Sequence, residues 1–418
     1  MRHRTPLVLV CAIFGFIAAG PTRAFTAEKT LKELLVEKGA ITKEEAATIQ
    51  ETVLAKWIDR LTVYGDLRVR NESIWYSADP GTGDNGDNRH RPRFRLRLGT
   101  QLKIKDLLVA VQLASGTGDA TGNNQSFDNF NSQKAIWIQQ AYLSWNPSGA
   151  RWVTLAAGKM ENPFFTVETS DIVWDADVAP EGVAETLRFR AGDTVMLFFN
   201  AAQIVLDEDG GDDHDQWLIG QQLGATVEPN DRLKATVAAA FYEVLNATTG
   251  TFGQTLVQDG NSRGACPGVV PPVATCLVNR YHIIDLTAAL NTRVGPLPLA
   301  IMGDYVRNLA DTTTGGNGVG AATGNVGYQV GMILGKASDP NTWELAYLYK
   351  VAETDAALAD MADSDFGDGG LSRRGHIAWI AYNPTKYFQA KTKLLVTESD
   401  GALKDDITKL QVDASVKF

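Results

Sequence analysis

The sequence predicts an all-β membrane protein: a 16-stranded antiparallel transmembrane β-barrel preceded by a short N-terminal periplasmic α-helical segment. Three observations carry this. Hydrophobicity alternates with a period of two along most of the chain, as where Leu410, Val412, Ala414, Val416 and Phe418 interleave with Lys409, Gln411, Asp413, Ser415 and Lys417. The links between alternating segments are short and long in strict succession, the pattern of a barrel with short turns at one rim and longer loops at the other. No stretch reaches the ~20 apolar residues that a spanning helix needs, which excludes a helical membrane protein.

The first 24 residues read as a signal peptide. Arg2, His3 and Arg4 precede an apolar stretch from Leu7 to Ala19, and small residues at Thr22 and Ala24 offer a cleavage site. Cys11 lies inside this segment and leaves with it. Residues 25–60 read as a periplasmic helical segment. Leu31, Leu34 and Leu35 belong to a first short helix ended by Gly39; Thr42 and Glu45 form a capping box before Ala46, Ile49, Val53 and Trp57 at helical spacing. A self-associating coiled coil and a helix packed at the barrel mouth both fit this stripe.

Residues 61–418 read as the barrel. Over 418 residues with net charge −10 and 39 glycines, hydrophobicity is evenly spread and no linker divides one composition from another. The acidic balance argues against nucleic acid as a partner. Alternation and turn residues place strands at 61–73, 91–104, 106–115, 135–145, 151–159, 185–191, 193–204, 215–228, 231–244, 280–294, 297–309, 325–337, 341–352, 373–384, 386–397 and 406–418. Turn dipeptides mark several short links: Asn146-Pro147, Glu228-Pro229, Asp339-Pro340 and Asn383-Pro384. An even strand count puts both barrel ends on the periplasmic side. Trp145, Trp152, Trp343, Tyr382, Tyr387 and Phe388 flank those short turns, where amphipathic rings suit the boundary between lipid and water.

Charge is unevenly placed. Arg91, Arg93, Arg95 and Arg97 alternate with Pro92, Phe94, Leu96 and Leu98, and turning those arginines to lipid would cost about 2–4 kcal/mol each near the midplane. They are therefore expected to face the lumen, with Arg68 and Arg70 of the first strand and Lys391 and Lys393 of the fifteenth beside them in one basic wall. Arg188 and Arg190 form a further patch. The third long loop, about 160–184, carries Glu161, Glu168, Asp171, Asp175, Asp177, Glu181 and, at its end, Glu185, with Phe164, Phe165 and Trp174. Its aromatics suggest that it folds into the lumen and faces the basic wall across a narrowed eyelet. The alternative is a solvated acidic loop, or one contacting lipopolysaccharide through divalent cations.

Cys266 and Cys276 remain after signal removal, and in an oxidising compartment they read as a disulfide stapling one loop. No His or second Cys pair lies near enough to make them a metal site. The acidic run from Asp207 to Asp215 lacks the spacing of a helix-loop-helix calcium site. Gly116-Thr117-Gly118-Asp119 and Gly315-Gly316-Asn317-Gly318 lack the Lys-Ser or Lys-Thr of a phosphate-cradling loop. His90, His214, His282 and His376 are scattered, and no nucleophile with its base can be assembled. The reading is a non-enzymatic protein without cofactor or metal.

Gly158-Lys159-Met160-Glu161-Asn162-Pro163-Phe164, Ile172-Val173-Trp174-Asp175-Ala176-Asp177 and Pro180-Glu181-Gly182-Val183-Ala184 resemble the corresponding stretch of the bacterial "putative porin" family. The helical pair and the final Phe418, similar to the C-terminal assembly signal of Gram-negative outer-membrane proteins, extend the resemblance over the chain. It implies an outer-membrane channel for small hydrophilic solutes in a Gram-negative bacterium. In plan it also resembles general and phosphate-type porins, among which trimers are common. Expected partners are outer-membrane lipid, lipopolysaccharide, the barrel-assembly machinery and further copies in a homotrimer. An anion-selective channel and a non-conducting adhesin or structural barrel are the competing readings.

Overall fold

The computed structural model describes residues 36–39, 42, 58–77, 88–208, 210, 215–248, 260–265, 275–310, 324–399 and 406–418. The chain divides into two compact units, residues 1–58 and 59–418. In the first, Val36 and Glu37 are helical, and Gly39 ends the turn at φ +66° with its N–H on the Val36 carbonyl at 3.0 Å. The signal-peptide reading and the rest of the helical reading lie outside the described residues.

The second unit is a closed antiparallel barrel of sixteen strands. They are β1 (Leu61–Tyr76), β2 (Arg89–Ile104), β3 (Leu107–Ser115), β4 (Ile136–Trp145), β5 (Val153–Lys159), β6 (Glu181–Ala191), β7 (Val195–Asp207), β8 (Gln216–Asn230), β9 (Leu233–Leu245), β10 (Tyr281–Val294), β11 (Leu297–Asn308), β12 (Val326–Gly335), β13 (Thr342–Ala352), β14 (Arg373–Asn383), β15 (Phe388–Ser399) and β16 (Ile407–Lys417). Each pairs with its sequence neighbours, and β1 also pairs with β16, so no strand edge is left open. A two-residue strand, Gln125–Ser126, adds to β2, and a small ribbon joins Arg263–Ala265 to Thr275–Leu277.

The alternation read from sequence becomes an inside and an outside. Along β15, Leu394 and Val396 are exposed while Lys393, Leu395 and Thr397 are buried; along β1, Leu67 and Val69 are exposed while Asp66 and Arg70 are buried. In a water-soluble protein the apolar set would be inside. Here it is outside, the arrangement a barrel in lipid requires. Trp145, Trp152, Trp343, Tyr382 and Tyr387 are also exposed near the short turns.

The buried apolar residues form two clusters inside the barrel. One joins Met160, Phe164, Ile172 and Trp174 of the link between β5 and β6 to Leu358, Met361 and Leu371 of the link between β13 and β14, and to wall residues such as Leu218, Tyr242 and Val306. The other sets Val167 and Phe366 from the same two links against Leu348, Ile377, Trp379 and Leu395. Two connecting segments, 160–180 and 353–372, are thus packed against inward-facing strand residues.

Candidate functional site

The closure seam carries a grid of charge on the inner face. Strand register sets it in rows: Lys391–Asp413–Arg70–Arg93, then Lys393–Gln411–Glu72–Arg91, then Gln389–Ser415–Arg68–Arg95, and Lys417–Asp66–Arg97 at the short-turn end. Most of the cations meet carboxylates. Arg70 Nε and Nη2 donate to the two oxygens of Asp413 at 2.8 and 2.9 Å, and its Nη1 donates to Asp365 at 2.9 Å. Arg91 lies 2.5 Å from Glu72, and Arg93 reaches the same carboxylate at 3.6 Å. Asp66 accepts from Arg95 at 2.9 Å and from Arg97 at 2.7 Å. Arg68 donates to Asn124 at 2.7 Å. Lys391 instead sits 4.2 Å above the Trp379 ring, and Lys393 is buried.

Segment 160–180 crosses the interior and is fastened at several points of the wall. Gln222 on β8 receives the Phe165 N–H at 2.7 Å and donates to the Phe165 carbonyl at 2.9 Å. Phe164 stacks on Trp174 at 5.6 Å, and both meet the Tyr242 ring edge-on. Gly220 makes room for this: a Cβ there would lie 2.4 Å from the Phe164 ring. Further on, Asp177 reaches Arg95 and Arg97 at 3.7 and 3.6 Å, so the segment touches the arginine rows.

Segment 353–372 is the second insertion. The Asp363 N–H donates to the Asp171 carbonyl at 2.8 Å, the Asp175 N–H to the Met361 carbonyl at 2.6 Å, and the Ser364 N–H to the Asp175 carboxylate at 2.9 Å. Lys350 holds Asp363 at 2.6 Å. Burial and the neighbouring Asp363 and Asp177 carboxylates push Asp175 up to about 7, against the backbone N–H groups of Asp177 and Ser364. Burial acts in the same sense on Asp365, but Arg70, Lys409 and Lys393 hold its carboxyl well below the usual range.

Arg188 and Arg190 lie apart from the seam, on β6. They line a cavity of about 370 Å³ with Phe164, Phe165, Phe198 and Lys234 near the short turns. Lys234 is paired with Glu228 at 2.7 Å, whereas neither arginine has an ion pair among the described residues.

Some expected site residues are placed differently. Glu181 and Glu185 are not on the loop, because β6 begins at Glu181. Strand alternation puts both on the face of Val183 and Phe189, which are exposed, and Glu181 pairs with Lys159 at 2.8 Å. The boundary was misread because Gly182 and Ala184 look like loop composition, yet their inward positions match Gly158 and Ala156 across the pair. Of the remaining loop acids, Asp175 is buried, Asp177 touches arginine, and Glu161 and Glu168 are exposed. Cys276 is disulfide-bonded; Cys266 lies outside the described residues. Phe418 is exposed at the end of the barrel.

Sequence reasoning missed the carboxylates among the arginines and the whole of segment 353–372. Both had signals. Asp66 and Glu72 keep the spacing of two that runs through Arg68 and Arg70, and Leu358, Met361, Phe366 and Leu371 are apolar residues set among loop acids, as Phe164 and Trp174 are.

A sequence profile of the family described as "Putative porin" matches residues 77–265 and 253–418. No curated protein matches the chain. Among solved structures, OprB of Pseudomonas putida superposes with a TM-score of 0.55 at 10% identity, covering 88% of this chain and 96% of that one. The outer membrane channel DcaP of Acinetobacter baumannii gives 0.48 at 15% identity, covering 86% and 97%. A mutant of the Rhodopseudomonas blastica porin gives 0.44 at 11% identity, covering 86% and 100%.

Proposed function

The chain belongs to the "Putative porin" family, and we infer that its barrel works as a homotrimeric, anion-preferring channel. The protein is a porin of a Gram-negative outer membrane, passing small hydrophilic solutes by passive diffusion. Oligomeric state and preference are the inferred part.

One contrast carries the anion preference. Arg188 and Arg190 face a cavity with no ion pair among the described residues, while Asp175 and Asp177 are already engaged by Ser364 and by Arg95 and Arg97. Unspent positive charge on an inner surface raises the local concentration of anions. Exposed Glu161 and Glu168 keep that preference modest. In this reading segments 160–180 and 353–372 together set the width of the path, and the basic side chains of the seam border it.

The trimer rests on the shape of the wall. β3, β4 and β5 have 9, 10 and 7 residues, against 16 in β1 and β2. Seven residues at roughly 3.4 Å each are too short for a hydrocarbon layer of about 30 Å. A neighbouring protomer would cover this low side. Phe418 would serve as the signal read by the barrel-assembly machinery, and the outward apolar face would meet lipid and lipopolysaccharide.

Planar-bilayer recording of the purified, folded protein across a salt gradient tests the reading. Conductance steps in groups of three and a reversal potential of anionic sign are the expected result. Single steps would overturn the trimer and a cationic sign the preference. No conductance from inserted protein would favour a plugged or adhesive barrel.

A further inference from the structure

On the opposite side of the interior from the arginine rows, two carboxylates lie buried with no cation bonded to them among the described residues. Asp285 of β10 is 3% exposed and Asp304 of β11 is 8% exposed. Register pairs Asp304 with Thr287 on one side and with Gln329 of β12 on the other. Asp285, two residues before Thr287, is therefore the diagonal neighbour of Asp304 on the same face of the adjacent strand. Asp285 accepts from Thr287 Oγ1 at 3.0 Å and, at 3.5 Å, from the Tyr242 hydroxyl. Ser170 Oγ, from segment 160–180, donates to Asp304 Oδ2.

Asp304 Oδ1, Gln329 Oε1 and the Oγ1 of Thr169, the residue before Ser170, are buried and have no hydrogen-bond partner among the described residues. Gln329 is fully buried beside Asp304, and its amide is held in place by the Glu168 carbonyl, which accepts from Nε2 at 3.1 Å. Orphaned acceptors are costly in a protein interior, and several beside one carboxylate pair mark a place suited to a cation. The nearby ammonium of Lys350 is committed to Asp363 at 2.6 Å.

We propose that Asp285, Asp304, Gln329 and the hydroxyls of Thr169 and Ser170 form a binding site for one divalent, oxygen-preferring cation of the calcium type, which clamps segment 160–180 to the wall. Two carboxylates balance the charge of one such ion. Among the described residues no group of three or more acidic, His or Cys side chains gathers as a metal cage, so neutral oxygens complete the set. Carboxylate, amide and hydroxyl oxygens drawn from three strands and a loop suit the irregular, many-ligand shell of calcium better than the strict octahedron of magnesium. The site is independent of ion preference in the pore.

Terbium luminescence of the full-length, detergent-folded protein tests this, because the Tyr242 and Trp174 rings lie beside the site and can sensitise the ion. The expected result is saturable emission displaced by calcium, with affinity at least tenfold lower in Asp285→Asn/Asp304→Asn. Absence of saturable, calcium-displaceable emission in the unmodified protein overturns the site, as does wild-type affinity in the folded double variant. Should that variant not fold, Gln329→Leu must weaken binding at least threefold, and calcium must slow proteolysis of segment 160–180 in the unmodified chain. Failure of either refutes the proposal.

Discussion

Gly65 and Phe418 close the barrel by exchanging both backbone hydrogen bonds: the Gly65 N–H donates to the Phe418 carbonyl at 3.0 Å, and the Phe418 N–H donates to the Gly65 carbonyl at 3.1 Å. The Phe418 ring lies over the glycine, where a Cβ would come within 2.8 Å of the ring and 2.5 Å of the Arg97 carbonyl. Gly65→Leu should therefore lower the yield of folded, heat-modifiable barrel at least twofold on cold SDS gels. Phe418→Ala keeps both backbone bonds and should fold in detergent, while its outer-membrane level in cells falls.

Arg70 is the most buried arginine of the seam, 3% exposed and shared between Asp413 and Asp365. Arg70→Ala leaves two carboxylates without their guanidinium, a loss of about 3–5 kcal/mol for a buried pair. A lower urea midpoint for the variant would show it. Asp365→Asn should cost less and act locally, with faster proteolysis of segment 353–372.

Asp175 couples the two inserted segments to pH. Its folded value of about 7 stands above the ordinary 3.8, so the packed state holds a proton that the released segment gives up. The stabilisation is complete below about pH 4 and is lost as pH rises through about 7. Amide exchange in 160–180 and 353–372 should speed up between those limits, and Asp175→Asn should flatten the dependence. Asp365 works in the opposite sense, since its depressed value withdraws stability only as pH falls below the ordinary carboxylate range.

Arg188 and Arg190 should govern selectivity more than the larger set of seam arginines. Arg188→Glu/Arg190→Glu turns two cations without an ion pair among the described residues into anions and should move the reversal potential toward cation preference. Arg91→Gln, which leaves Glu72 to Arg93 and Gln411, should move it less. An equal or larger shift from Arg91→Gln would return the dominant role to the seam.

The two inserted segments show where legibility ended. Segment 160–180 was readable because Phe164, Phe165 and Trp174 are too apolar for a loop in water. Segment 353–372 carries weaker versions of the same signal, diluted by Asp and Gly, and its position depends on partners far away: Asp175 for Ser364 and Arg70 for Asp365. Nothing local to either segment names the other.

The sequence by itself determined the number of strands, the alternation of short and long links, and which side chains share a face, because a period of two follows from the geometry of neighbouring Cβ atoms and lipid penalises charge on one face. Only the tertiary structure decided which charges are spent. Arg70 and Asp413 are 343 residues apart in the chain, and their bond exists only because the first and last strands meet in register. Closure turned a row of arginines into a largely neutralised grid, and left Arg188 and Arg190, away from the seam and its carboxylates, without an ion pair among the described residues.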